Sequence, residues 1–262
     1  MRIKKTISFF LLLSLVLFTF SGCGIEEEVA AIVDIEGLEQ VVIEGIEEGT
    51  KEIFDEIAQE MLETPQIIDV NEIPEYSGDS YIVVNDNNPL FSDDVMTDVS
   101  FEEYAPLDYL GRCGVTVASV GRDIMPTKER GDIYNVKPSG WIQANYDNIS
   151  GGYLYNRSHL IGHQLTGEDD NENNLITGTR YMNTEMITFE NMVADYVKET
   201  NNHVYYRVTP IFEEENLLAK GVLMEAKSVE DQGEGICFNV FLYNVQPGIE
   251  LDYKDGNSRA AD

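Results

Sequence analysis

Tyr155-Asn156-Arg157-Ser158-His159-Leu160-Ile161-Gly162-His163 holds two of the three histidines of this 262-residue chain. Tyr153 to Arg157 reads as a strand that delivers the histidines to a turn. Downstream comes Asn174-Leu175-Ile176-Thr177-Gly178-Thr179-Arg180-Tyr181-Met182-Asn183. From Asn183 to Thr200, Met186, Phe189, Val193 and Val197 recur at helical spacing, which predicts a helix ending near Asn201-Asn202.

Working outward, Tyr81–Val84 and Cys113–Val120 read as strands, with Asn85–Pro89 as a turn. His203–Thr209, Gly221–Ala226 and Ile236–Val245 form a second group of strands. Asp123 to Asp132 is a polar loop carrying Lys128 and Arg130, and Pro138-Ser-Gly-Trp141 is a turn. Strands, then a helix, then strands predict an α+β fold with a mixed, mainly antiparallel sheet, rather than doubly wound α/β.

The N-terminus is of another kind. Arg2, Lys4 and Lys5 precede an apolar run from Ile7 to Phe20 and then Ser21-Gly22-Cys23. That is an export signal over residues 1–22, too short for a comfortable transmembrane span. Residues 24–76 hold seventeen acids and one lysine, with apolar positions at roughly helical spacing. They read as an acidic stalk, partly helical or disordered, leaving 77–262 as the globular domain. Outside the cytoplasm, Cys113 and Cys237 can form a disulfide or remain two buried thiols.

The formal net charge is -31. The stalk contributes -16 of it, but residues 77–262 still carry thirty-one acids against thirteen Lys or Arg. Such a domain cannot hold a polyanion by bulk charge, which counts against tight, processive DNA binding. Activity on nucleic acid requires a local basic cleft and a metal ion.

The residues offer that chemistry. A histidine suits proton transfer near neutral pH, so His159 is a candidate general base for activating water. Asn183 can offer an amide oxygen to Mg²⁺. Glu190, seven residues on, shares its helical face and can hold the ion or its waters. Arg157, Arg180 and Arg207 are candidates for gripping phosphate, and Lys128 and Arg130 for closing over substrate. In its strand, Arg207 faces away from Tyr206 and Val208. Each cation can equally be a surface ion pair, and Asn183 with Glu190 a solvated helix stripe. His163 lies four residues from His159, but Gly162 and the strand-like run argue against a helical zinc site, so it reads as structural or peripheral.

Asn156-Arg-Ser-His159 resembles a variant of the Asp-Arg-Gly-His motif of the DNA/RNA non-specific endonucleases, the ββα-metal (His-Me finger) nucleases. Asn174 with Asn183 is similar to that family's second motif. Tyr206-Arg-Val-Thr209, Met224-Glu-Ala-Lys227, Phe238-Asn-Val240, Asn244-Val-Gln246 and Leu251-Asp-Tyr253 resemble the secreted DNA-entry nucleases of competent Gram-positive bacteria. Ser21-Gly-Cys23 resembles a lipobox, implying lipidation at Cys23 and anchoring to the outer face of the cell membrane; plain secretion is the other reading. The resemblance spans roughly 110–256. It implies a strand–loop–helix metal site with His159 as general base, Asn183 as ligand to Mg²⁺ (Mn²⁺ can substitute), Glu190 supporting the metal or water, and Arg157 contacting substrate. It implies DNA, and RNA too, as substrate. Two residues depart from the pattern. Asn156 stands where the family has an aspartate and would orient His159 through its amide oxygen, unless a backbone carbonyl does the orienting. Ser158 stands where the family has glycine, which raises the question whether the turn needs a positive φ that serine tolerates poorly. A different reading is a catalytically dead relative serving as an extracellular DNA-binding scaffold lipoprotein. A third is a zinc hydrolase built on His159 and His163.

Overall fold

The structure is a computed structural model that describes residues 73–261. The export signal, Cys23 and the stalk up to residue 72 lie outside the described residues.

Six antiparallel strands form the main sheet: β1 (Tyr81–Val83), β2 (Phe101–Tyr104), β3 (Thr116–Val120), β6 (Val204–Ile211), β7 (Gly221–Ser228) and β8 (Cys237–Tyr243), in the order β1-β8-β7-β6-β3-β2. The central strands are rich in β-branched and aromatic residues, which suit a pleated surface. Both sheet faces are covered, so these strands are buried almost throughout. One face packs Ala118, Tyr206, Val208, Met224, Ala226, Phe238 and Val240 against the long helix. On the other, residues 73–96 help to bury Tyr205, Leu223, Phe241 and Tyr243. Ile73–Tyr76, which the sequence assigns to the stalk, take part in this packing. Ile73 is 5% exposed, the Tyr76 ring meets Tyr243 edge-on, and the Tyr243 hydroxyl donates to the Pro74 carbonyl.

Between β3 and β6 the chain builds a separate module. Strand β4 (Tyr155–His159) pairs antiparallel with β5 (Leu175–Thr179), and a one-turn helix α1 (His163–Thr166) lies between them. Helix α2 (Arg180–Thr200) follows β5 directly. It buries Met182, Met186, Phe189, Val193, Ala194 and Val197 on the sheet, and each of the Met, Phe and Val side chains contributes about 1.5–3 kcal/mol. The helix starts three residues before the expected Asn183, because tertiary contacts set its cap. The Thr179 hydroxyl accepts from Met182 N and donates to the Val245 carbonyl, while Asn244 Oδ1 accepts from Thr179 N. This cap is worth about 1 kcal/mol. At the far end Asn201 adopts left-handed geometry (φ 59°) where an Asn-Asn stop is expected.

The α+β expectation holds. The sequence reading missed β2, β5, α1 and the terminal hairpin β9 (Ile249–Leu251) with β10 (Ser258–Ala260). These elements are short and lack a clear period. Cys113 and Cys237 are both free; the Cys113 thiol is buried and donates to the Leu175 carbonyl.

Candidate active site

The β4–α1–β5 module and the start of α2 wall an open cleft of about 1260 Å³. Arg130, Asn156, Arg157, His159, Arg180, Asn183 and Glu190 all line it, together with His163. Four cations, Arg130, Lys137, Arg157 and Arg180, face two carboxylates there, Asp132 and Glu190. This is a local basic cleft on an acidic chain.

His159 ends β4 and is 7% exposed. Its Nε2 lies 2.8 Å from the Asp169 carbonyl oxygen, and its Nδ1 lies 3.0 Å from Arg130 Nη2. A carbonyl only accepts and a guanidinium only donates, so the partners assign the neutral tautomer with hydrogen on Nε2 and a lone pair on Nδ1. Burial pushes the pKa of His159 down to about 4, with the Arg130 charge adding to it and the Asp169 carbonyl opposing. The residue that orients His159 is therefore Asp169, through its main chain, and not Asn156. Asn156 Nδ2 is buried without a hydrogen-bond partner among the described residues. The Asp169 carboxylate also accepts from Gly131 N and faces His163 Nε2 at 3.4 Å, so one residue ties the Arg130 loop to the histidine tract. His163 accordingly has a structural partner.

Ser158 sits in extended β4 and not at positive φ, so serine meets no backbone strain where the family has glycine. Its side chain is accommodated by Gly178 on β5; a Cβ there would stand 2.2 Å from Ser158 Oγ. Asn174 is a clamp: its side chain accepts from Ile161 N and donates to the Ile161 carbonyl.

Asn183 lies one turn into α2 and makes no side-chain hydrogen bond among the described residues, leaving its amide oxygen open to the cleft. Glu190, two turns on, is 5% exposed, and among the described residues its carboxylate is met only by Gln164 Nε2 at 3.3 Å. Burial pushes its pKa up to about 7, against the lowering influence of Gln164 and Arg130. Gly162 is where this carboxylate fits, since a Cβ there would stand 2.4 Å from Glu190 Oε2. An open amide oxygen and an under-satisfied carboxylate fit a hard divalent cation such as Mg²⁺, which uses few protein ligands and keeps its waters. Among the described residues, no three His, Cys, Asp or Glu side chains converge as a zinc site of protein ligands would require.

Two expected phosphate contacts are elsewhere. Arg207 is 4% exposed on the sheet face away from α2, where its Nε donates to Glu225 at 2.7 Å and its guanidinium covers Phe91. Lys128 is exposed on the loop but does not line the cleft. Arg157 is in the cleft wall but already engaged: it donates to the Val136 and Tyr134 carbonyls and stacks 4.2 Å from the Trp141 ring centroid. The sequence reading missed Asp169, Gln164, Gly162 and Lys137. Asp169 acts through a main-chain oxygen, which no residue type announces. Gly162, lying between the two histidines, was the one available signal.

The sequence model of the DNA/RNA non-specific endonuclease family matches residues 93–230. Among solved structures, the chain is similar to NucA from Streptococcus agalactiae with magnesium ion bound, at 27% identity and a TM-score of 0.60, over 68% of this chain and 86% of that one. Against NucA with no metal bound the values are 25%, 0.63, 73% and 92%. The Sda1 nuclease with bound zinc ion is 25% identical with a TM-score of 0.57, over 70% of this chain and 97% of that one.

Proposed function

The chain belongs to the DNA/RNA non-specific endonuclease family, and on that footing we propose that it is an exported, Mg²⁺-dependent endonuclease. It hydrolyses phosphodiester bonds of DNA, and of RNA, with little sequence preference. One observation carries the reading. The neutral His159 is fixed at Nε2 by a main-chain oxygen, which leaves Nδ1 as the lone-pair nitrogen, and it lines the cleft that also holds Asn183 and Glu190.

His159 takes a proton from the attacking water at Nδ1. For that, Arg130 must release the lone pair it now occupies. A phosphate is a stronger acceptor for a guanidinium than a neutral imidazole, so entering substrate draws Arg130 off the base and onto itself. Arg180 and Lys137 supply further positive charge along the cleft. Arg157, bound to two main-chain carbonyls, holds the wall in place and adds its charge. Asn183 would hold the cation through its amide oxygen, and Glu190 directly or through water. When bound, Mg²⁺ (or Mn²⁺) supplies charge that screens the negative charge developing on the phosphorus oxygens and the leaving group. The similar structures carry magnesium in one case and zinc in another.

The N-terminal layout belongs to the same proposal: an export signal over 1–22, lipid on Cys23, an acidic stalk that ends before Ile73, and a nuclease domain that includes Ile73–Tyr76. Among the described residues no helix is long and apolar enough to cross a membrane.

Incubating the full chain with supercoiled plasmid tests the reading. Nicking and then degradation should occur with Mg²⁺, stop with EDTA and resume when Mg²⁺ is restored. His159→Ala should lower the rate by about 10²–10⁴-fold. Equal cleavage by His159→Ala would overturn it.

A further inference from the structure

We propose that the cleft takes single-stranded nucleic acid and stacks its bases on Tyr134 and Tyr153; this rests on the nuclease reading and adds a preference for strand over duplex. Large aromatic rings are ordinarily covered, yet Tyr134 is 71% and Tyr153 52% exposed, and both line the cleft. No side-chain hydrogen bond holds either hydroxyl among the described residues. Both rings are therefore largely open to solvent in the cleft that holds the reacting groups.

Each ring has a cation at hand. The Arg157 guanidinium lies 5.2 Å from the Tyr134 ring centroid. Tyr153 follows Gly151 and Gly152, both at φ +79°, and a Cβ at Gly151 would stand 3.9 Å from Arg180 Nη2, so Arg180 reaches this turn. Arg157 beside Tyr134, and Arg180 at the turn that precedes Tyr153, put positive charge and aromatic rings into one cleft, as binding of phosphate and base together requires.

Charge selects the form. Residues 77–262 carry thirty-one acids against thirteen Lys or Arg, so bulk attraction for a duplex is absent. A single strand has lower charge density, and its exposed base faces add a non-ionic contribution that a closed duplex cannot offer. Stacking tolerates every base, in keeping with cleavage of little sequence preference.

The test uses the full chain carrying His159→Ala, in EDTA, with fluorescence anisotropy. The probes are a labelled strand of about 12 nucleotides, its duplex, and an abasic strand of equal length. The intact strand should bind tighter than either of the others. Tyr134→Ala and Tyr153→Ala should each weaken strand binding roughly tenfold, the loss of one stacked base, so that the strand-to-duplex ratio falls. Phenylalanine at either position should restore it. Equal affinity for intact and abasic strands, or equal losses on strand and duplex, would overturn the platform. Plasmid cleavage by wild type in Mg²⁺ is run alongside. If wild type cuts while the ratio ignores both tyrosines, only the platform fails. If the tyrosines hold the strand but wild type cuts nothing, only the nuclease reading fails.

Discussion

Two glutamates are buried on opposite sides of the main sheet, and the chain treats them differently. Glu225, on β7, is fully buried; it accepts from Arg207 Nε at 2.7 Å and from Leu90 N at 2.7 Å. Glu190, on α2, is nearly as buried but has one long bond from Gln164 and no cation paired with it. A buried carboxylate costs several kcal/mol unless a charge and hydrogen bonds complete it. The fold completes Glu225 with its own residues and leaves Glu190 incomplete, its pKa pushed up to about 7 beside the open Asn183 amide. The same contrast separates the arginines. Arg207 is spent on structure, while Arg130, next to His159, lines the open cleft. A charge that the fold leaves unfinished at a cleft marks where a ligand finishes it.

Breaking the finished side should cost the most stability. Glu225→Gln leaves the Arg207 guanidinium buried without a counter-charge, and urea unfolding should register a loss of about 3–5 kcal/mol. Cleavage per folded molecule should not change, since the pair is outside the cleft. A loss of activity without loss of stability would erase the contrast.

On the unfinished side, Gly162→Ala drives a methyl group against Glu190. Plasmid cleavage should fall roughly a hundredfold through displacement of the carboxylate, with a folding cost of about 1–3 kcal/mol. Wild-type cleavage would show that the place of Glu190 does not matter.

The pH profile sharpens the comparison further. A base works unprotonated, so kcat/KM should rise through about 4 and stay level where an ordinary histidine, near 6.5, would still be titrating. The folded pKa lies below the unfolded one, so the folded state binds fewer protons. The stability contribution of His159 is complete above about 6.5 and is lost as pH falls towards 4. An imidazole of His159 that titrates near 6.5 by NMR in the metal-free protein would contradict the buried, neutral base.

The smallest effect is expected at Asn156. Because Asp169 already fixes His159 Nε2, Asn156→Asp should leave turnover essentially unchanged. A marked acceleration in a plasmid assay would return the orienting role to this side chain.

Much of this was legible in the sequence. The helical spacing of Met186, Phe189, Val193 and Val197 located α2, and alternation around Tyr206 and Val208 put Arg207 on the other face. Alternation does not say which face carries the cleft, so Arg207 read as a substrate contact. The His159–Asn183–Glu190 grouping was visible as a motif because two of its members are fixed by helical geometry. Asp169 was not visible, since what it gives His159 is a main-chain oxygen placed by the turn after α1. Gly178 making room for Ser158 was equally hidden, because strand register is a tertiary property.

Thermal unfolding of the full chain titrated with Mg²⁺, compared with Glu190→Gln, tests the central claim most directly. Wild type should gain Tm with Mg²⁺ by mass action. Glu190→Gln should melt above wild type in EDTA, having lost an uncompensated buried charge, and should gain nothing from the ion. A mutant that melts lower in EDTA and still gains Tm with Mg²⁺ as wild type does would contradict the account.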